Sequence, residues 1–162
     1  MKKENTLKPK TVDESRTEQV QILTQSTLNG TKRLFGGQLM QWIDIVAAVV
    51  ARRHSGCNIT TAVVDTLQFI NPAYGNDMVV LEGYMPYTGR TSMEVCVKTY
   101  VENPDGSRQE INTAYIVMVA LDENENPTQV PPLLITTDEE KEEWNAAVKR
   151  NDLRKLRRKE RF

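Results

Sequence analysis

Leu34-Phe-Gly-Gly-Gln-Leu-Met-Gln-Trp-Ile-Asp-Ile-Val-Ala-Ala-Val-Val-Ala51 is the stretch that decides the fold. Its Leu34-Phe-Gly-Gly37 opening predicts a helix that runs to about His54, with Ser55-Gly56 supplying the usual glycine stop. From Trp42 to Ala51 the helix is apolar on nearly every side, and a helix without a polar face must be surrounded by protein. Asp44 alone interrupts it. Burying a carboxylate is costly unless it is paired, and the positions one helical turn away are Met40, Gln41, Ala47 and Ala48, none of them basic. Asp44 could be satisfied by a loop arginine or by backbone amides, or could simply be exposed at a helix kink. The missing local partner favours a functional role.

Working outward, the chain changes character on both sides. Glu18 to Gln25 reads as a first strand, and Ser26 to Arg33 as a loop of small and polar residues. After the helix, Ile59–Phe69, Met78–Tyr87, Thr91–Val101 and Ile111–Leu121 are rich in Val, Ile, Thr and Tyr. Met93, Val95, Val97 and Val101 fall on one face, with Glu94, Cys96, Lys98 and Tyr100 on the other. Turn chemistry at 71–75, 88–90 and 103–106 separates the runs. From Thr137 a second helix is expected, anchored by Trp144 and Val148, acidic at its start and basic at its end. The class is α+β: an antiparallel sheet around one long central helix, with a C-terminal helix appended. Residues 1–16 read as a flexible arm, 17–136 as the domain and 137–162 as a charged helical tail.

Composition excludes several functions. The 162 residues suffice for one core, and a net charge of −1 provides no global field for nucleic acid or membrane. Cys57 and Cys96 form neither a disulfide framework nor a zinc knuckle, and no stretch is apolar and long enough for a signal or a span. A reducing, cytoplasmic setting is expected. The single histidine, His54, lies at the far end of the helix, where the last carbonyls can satisfy it. That disfavours Ser–His–Asp and Cys–His hydrolases and any metal site. The basic run Arg154 to Arg161 has no aromatic platform beside it, so nucleic-acid binding ranks low.

The helix start complements Asp44. Gly36 and Gly37 allow close approach to the unpaired N–H groups of the first turn, which suit an oxyanion; two glycines could equally serve only a sharp turn. Gly37 and Asp44 are seven residues apart, on nearly one face but about 10 Å apart along the axis. One site could use both if two such helices met antiparallel across a twofold axis, which implies a homodimer with sites at its interface.

Asn29, Leu34-Phe-Gly-Gly-Gln-Leu-Met-Gln-Trp-Ile-Asp44, Val64-Asp65, Phe69, Pro72, Gly89-Arg-Thr-Ser-Met-Glu94, Ala120-Leu-Asp122 and Val130-Pro-Pro132 together resemble the hotdog-fold acyl-CoA thioesterases, over roughly residues 17–133. The nearest likeness is to bacterial broad-range acyl-CoA hydrolases related to the cytosolic brain-type enzymes. The resemblance implies a hotdog fold, dimers assembled further as trimers of dimers, and acyl-CoA as substrate with no separate cofactor. It implies Asp44 as general base or nucleophile, Asn29 as an orienting group, the Gly36–Gly37 amides as the polarising element and Thr61 as a further polar contact. Gly89, Arg90, Thr91 and Ser92 resemble the segment that meets coenzyme A, and guanidinium suits phosphate; alone, Thr88-Gly-Arg90 reads as a plain strand connection. The pattern departs at Lys32, Ile45 and Asn71, where glycine, glutamate and lysine are frequent in the family. A non-catalytic acyl-CoA-binding regulator is the competing reading, and the basic tail could reach the coenzyme A phosphates of a neighbouring subunit.

Overall fold

In the computed structural model, which describes residues 6–162, the order of elements follows the sequence pattern closely. After β1 (Lys10–Thr11) and β2 (Thr17–Ile22) come a 3-10 turn at Gln25–Thr27, α1 (Gly36–Ser55), β3 (Asn58–Phe69) and β4 (Met78–Thr88). Then follow β5 (Ser92–Glu102), β6 (Arg108–Leu121), β7 (Leu133–Leu134) and α2 (Asp138–Glu160). Five strands form one antiparallel sheet in the order β2-β4-β5-β6-β3. β3 is therefore an edge strand although it follows α1 directly. Gly56 ends α1 in the left-handed region at φ 68°, its N–H bonded to the Arg52 carbonyl.

The inward residues of β5, Met93, Val95 and Val97, join Ile43, Val46, Ala47 and Val50 of α1 in the core. Gly83 of β4 sets how close α1 can come, because a Cβ there would meet Val46 Cγ1 at 2.6 Å and Val50 Cγ2 at 2.9 Å. α2 lies on the opposite face of the sheet. Trp144 packs on Tyr87 of β4 at 4.7 Å between centroids, and the Arg150 guanidinium stacks on Tyr115 of β6 at 3.7 Å. Thr137 Oγ1 accepts from the Glu140 N–H at the helix start, while Glu140 Oε2 accepts from the Thr136 N–H.

Three expectations change. The sheet covers only one side of α1: Leu39, Ile43, Val46 and Val50 are buried, but Met40, Asp44 and Ile45 face outward. The apolar composition of the helix thus exceeds what the sheet of this chain covers. Residues 10–16 do not form a free arm. β1 pairs in parallel with β7, and Val12 and Ser15 are buried; residues 1–5 lie outside the described part. The charged tail is solvated over most of its length, but Arg150 and Arg154 of α2 are drawn onto buried carboxylates of the sheet.

Candidate active site

Asp44 projects from the outward side of α1, where Thr61 of β3 donates its hydroxyl to Asp44 Oδ1 at 2.7 Å. Thr61 pairs with Met118 of β6 in the inward-facing row of the sheet. The two residues are 17 apart in sequence and meet because β3 returns along the helix that precedes it. Among the described residues no lysine, arginine or histidine forms an ion pair with Asp44. The carboxylate is oriented without being neutralised. Around it stand exposed apolar side chains: Met40 and Ile45 of α1 and Val64 of β3.

Asn29 belongs to a second cluster at the start of α1. Its Oδ1 accepts from Thr31 N–H (3.0 Å), Thr31 Oγ1 (2.8 Å) and Arg33 N–H (3.2 Å), closing the 29–33 loop on itself. Lys32 sits in that loop at φ 60°, a conformation that favours glycine, which gives a backbone reason for the glycine frequent at this position in the resembling family. The loop borders a cleft of about 260 Å³ lined by Leu34, Leu39, Phe69, Ala73 and Ile111 as well as Asn29.

Gly36 and Gly37 open α1 beside this cleft, with Phe35 as the N-cap residue and no side-chain cap over the first-turn N–H groups. Neither glycine has positive φ. Their small size makes room for rings: a Cβ on Gly36 would lie 3.3 Å from Phe69 Cζ, and one on Gly37 2.6 Å from Phe35 Cε1. Phe35 and Phe69 wall this corner; Phe35 adjoins the glycines in sequence, whereas only the fold brings Phe69 against Gly36.

Gly89, Arg90 and Thr91 form the β4–β5 connection, and Ser92 opens β5. Gly89 N–H donates to the Ser92 carbonyl at 2.8 Å, and a Cβ on Gly89 would meet Ser92 Oγ at 2.8 Å. The carbonyls of Arg90 and Thr91 accept from Val130 and Ala120, so the backbone is fixed while the Arg90 side chain is exposed. Ser92 pairs with Val119, which pairs with Thr60. The connection is therefore about 10 Å, two strand spacings, from the Thr60–Thr61 segment.

One chain therefore assembles the candidate residues into three pieces: Asp44 with Thr61, the Asn29 loop with the Gly36–Gly37 amides, and the 89–92 connection. His54 stays outside all of them. It is buried, with Nε2 2.8 Å from the Pro131 carbonyl rather than from the last carbonyls of its helix, and burial lowers its pKa against the opposing effect of that contact. Among the described residues no group of His, Cys, Asp and Glu could hold a metal ion, and no helix is long and apolar enough to cross a membrane.

Residues 31–106, which carry the helix start, Asp44, Thr61 and the 89–92 connection, match the family model described as the thioesterase superfamily. A Bacillus subtilis protein, named as the uncharacterized acyl-CoA thioester hydrolase YkhA, is 39% identical over 81% of this chain and 77% of its own length. The chain belongs to the thioesterase superfamily. Its hotdog architecture is shared with solved structures of the same superfamily. An acyl-CoA hydrolase from Staphylococcus aureus, in complex with butyryl coenzyme A, coenzyme A and coenzyme A disulfide, superposes with a TM-score of 0.89 at 31% identity over 93% of both chains. Three variants of that enzyme, with alanine in place of an aspartate, an asparagine and a threonine, match at 30% identity with TM-scores of 0.89 to 0.90. A hexameric acyl-CoA thioesterase in its apo form matches with a TM-score of 0.89 at 35% identity over 93% of this chain and 97% of that one.

Proposed function

We propose that this thioesterase-superfamily protein hydrolyses acyl-CoA thioesters to a carboxylic acid and coenzyme A. The observation that carries the reading is the Asp44 carboxylate, oriented by Thr61 at 2.7 Å and left without an ion-pair partner among the described residues, beside exposed Met40, Ile45 and Val64. A carboxylate so placed serves as a base towards water or as a nucleophile towards the thioester carbonyl. In the first route Asp44 takes a proton as water oxygen bonds to the carbonyl carbon; in the second its oxygen forms an anhydride that water then opens. In both, the C–S bond breaks and the thiolate leaves readily, so no separate general acid is required. The amides of the α1 first turn stabilise the oxyanion.

The reading requires two copies. Gly37 and Asp44 of one helix are separated by about 10 Å along the axis, so the amides polarise a carbonyl that the partner's aspartate attacks. Exposed Phe35, Met40, Ile45, Val64 and Phe69 line the same side as Asp44, and the unpaired edge of β3 runs beside them. A second copy covering this patch would bury the outward face of α1 and complete two sites at once. Further association as a trimer of dimers is supported by the hexameric relative. The asparagine, aspartate and threonine replaced in the staphylococcal variants follow one another at the same intervals as Asn29, Asp44 and Thr61, which supports the assignment of these three. Arg90, exposed on a fixed backbone, would meet the coenzyme A phosphates. The chemistry needs no cofactor and suits a cytoplasmic setting.

The test compares wild type with Asp44→Asn for thiol release across acyl-CoAs from acetyl to palmitoyl, with binding measured in parallel. Turnover by wild type, with a variant that binds but loses at least about 10²-fold in kcat, is the expected result. Binding by wild type without thiol release would make the protein an acyl-CoA-binding regulator instead.

A further inference from the structure

β3 is not a regular strand. Against β6 its pairing runs through Thr61↔Met118, then Val63↔Val117 and Val64↔Ile116, then Thr66↔Tyr115. Ala62 and Asp65 have no opposite residue, so two bulges occupy the five positions after Thr60. Bulges re-aim side chains and are weak points of register, above all on an edge strand. Here they let Thr61, Val64 and Leu67 share the inward rows of Met118, Ile116 and Ala114 while turning Asp65 outward. A slip that healed either bulge would reverse one part of the strand relative to the other, and Thr61 would turn away from Asp44.

The second bulge residue is held from outside the sheet. The Asp65 side chain, 6% exposed, accepts from Arg154 through Oδ2 at 2.8 Å and from Arg157 through Oδ1 at 2.9 Å, both on α2. Arg154 also donates to Glu94 of β5, which is fully buried and accepts from Arg150 as well. Arg154 thus ties β3 to β5 across β6. Neither carboxylate touches the Asp44 side of the sheet.

We propose that α2 is a positioning element of the active site: Arg154, acting through Asp65, holds the double bulge of β3 in the register that keeps the Thr61 hydroxyl on Asp44. Asp65 and Arg154 are positioning residues and do not contact substrate. The proposal rests on Asp44 as the reacting carboxylate, and the experiment separates the two claims.

The experiment is a double-mutant cycle on the full-length chain, with Asp65→Asn, Thr61→Ala and both together, read as kcat and KM for a short acyl-CoA. Hydrogen exchange of the β3 amides is followed in the same variants. Asp65→Asn is near-isosteric and leaves Arg154 its bond to Glu94. It is expected to lower kcat about tenfold with KM within twofold, and to speed exchange across residues 60–66 while β2 and β4 exchange as before. On the Thr61→Ala background the kcat effect should vanish, because the group being positioned is already gone; a purely structural role would give the same loss on both backgrounds. Equal losses, or unchanged exchange at residues 60–66, would overturn the proposal. If Asp65→Asn does not fold, Arg154→Lys, which keeps the charge without the planar fork, enters the cycle in its place and is judged by the same outcomes. If Asp44→Asn retains activity the site reading fails, whereas an inactive Asp44→Asn with additive Asp65 and Thr61 effects defeats only the positioning role.

Discussion

The two helices lie on opposite faces of one sheet and treat charge in opposite ways. α1 is apolar through its middle, from Trp42 to Ala51, yet the one carboxylate there is exposed and has no ion-pair partner among the described residues. α2 carries a dense run of charges, yet Arg150 and Arg154 are largely buried and answer two carboxylates that solvent hardly reaches. Composition along a helix therefore does not report where its charges act. Compensated carboxylates such as Glu94 and Asp65 hold the fold, and the uncompensated one is left available for chemistry.

The contrast can be broken from the α2 side first. Arg154→Met leaves Glu94 with one partner and Asp65 with only the half-exposed Arg157, and should cost about 3 to 5 kcal/mol of unfolding free energy. Asp44→Asn should change stability by less than about 1 kcal/mol. Urea unfolding of the two variants checks this, and an equal loss in both would erase the distinction between the helices. The α1 side is probed by Gly83→Ala. Its methyl would press on Val46 and Val50, with an expected cost of about 1 to 3 kcal/mol, visible as a lower thermal midpoint. Outward-facing Ile45→Ala should lower the stability of the monomer far less than that. The smallest effect concerns His54. Burial lowers its pKa in the folded state, so between that value and the ordinary 6.5 the unfolded chain binds more protons. Stability contributed here is complete above about pH 6.5 and declines as the pH falls below it. His54→Gln should flatten that part of the stability–pH curve without changing its value near pH 8 by a comparable amount.

Much of the architecture was legible because it is written locally. The apolar run of α1, its Gly56 stop and the alternation in β5 each lie within a few turns or pleats, and all appear where expected. Asp44 stood out for the same reason, since one can ask of a helix which neighbours lie a turn away. What was illegible depends on distant pairing. The partners of Glu94 are 56 and 60 residues on, and those of Asp65 are 89 and 92 residues on. No periodicity links such positions, so nothing local in the sequence ties the arginines of α2 to these carboxylates. The bulges at Ala62 and Asp65 are equally silent, because neither position carries glycine or proline. The Thr61–Asp44 contact lies between these extremes, as a strand returning along its helix allows the meeting without fixing the rung. β1 and β7, two residues each, are too short to make a pattern.

That short parallel pair ties the two ends of the chain in series. Lys10 and Thr11 hold Leu133 and Leu134, Lys10 Nζ also reaches the Arg53 carbonyl, and Arg53 in turn donates to the Arg16 carbonyl. α2 begins only four residues after β7. Whatever pulls on residues 10–16, a protease, a fusion partner or a tag, tugs at the short segment that leads into the C-terminal helix. Trimming the front of this protein would thus be felt at its back, as a loosened strap over the outer face of the sheet.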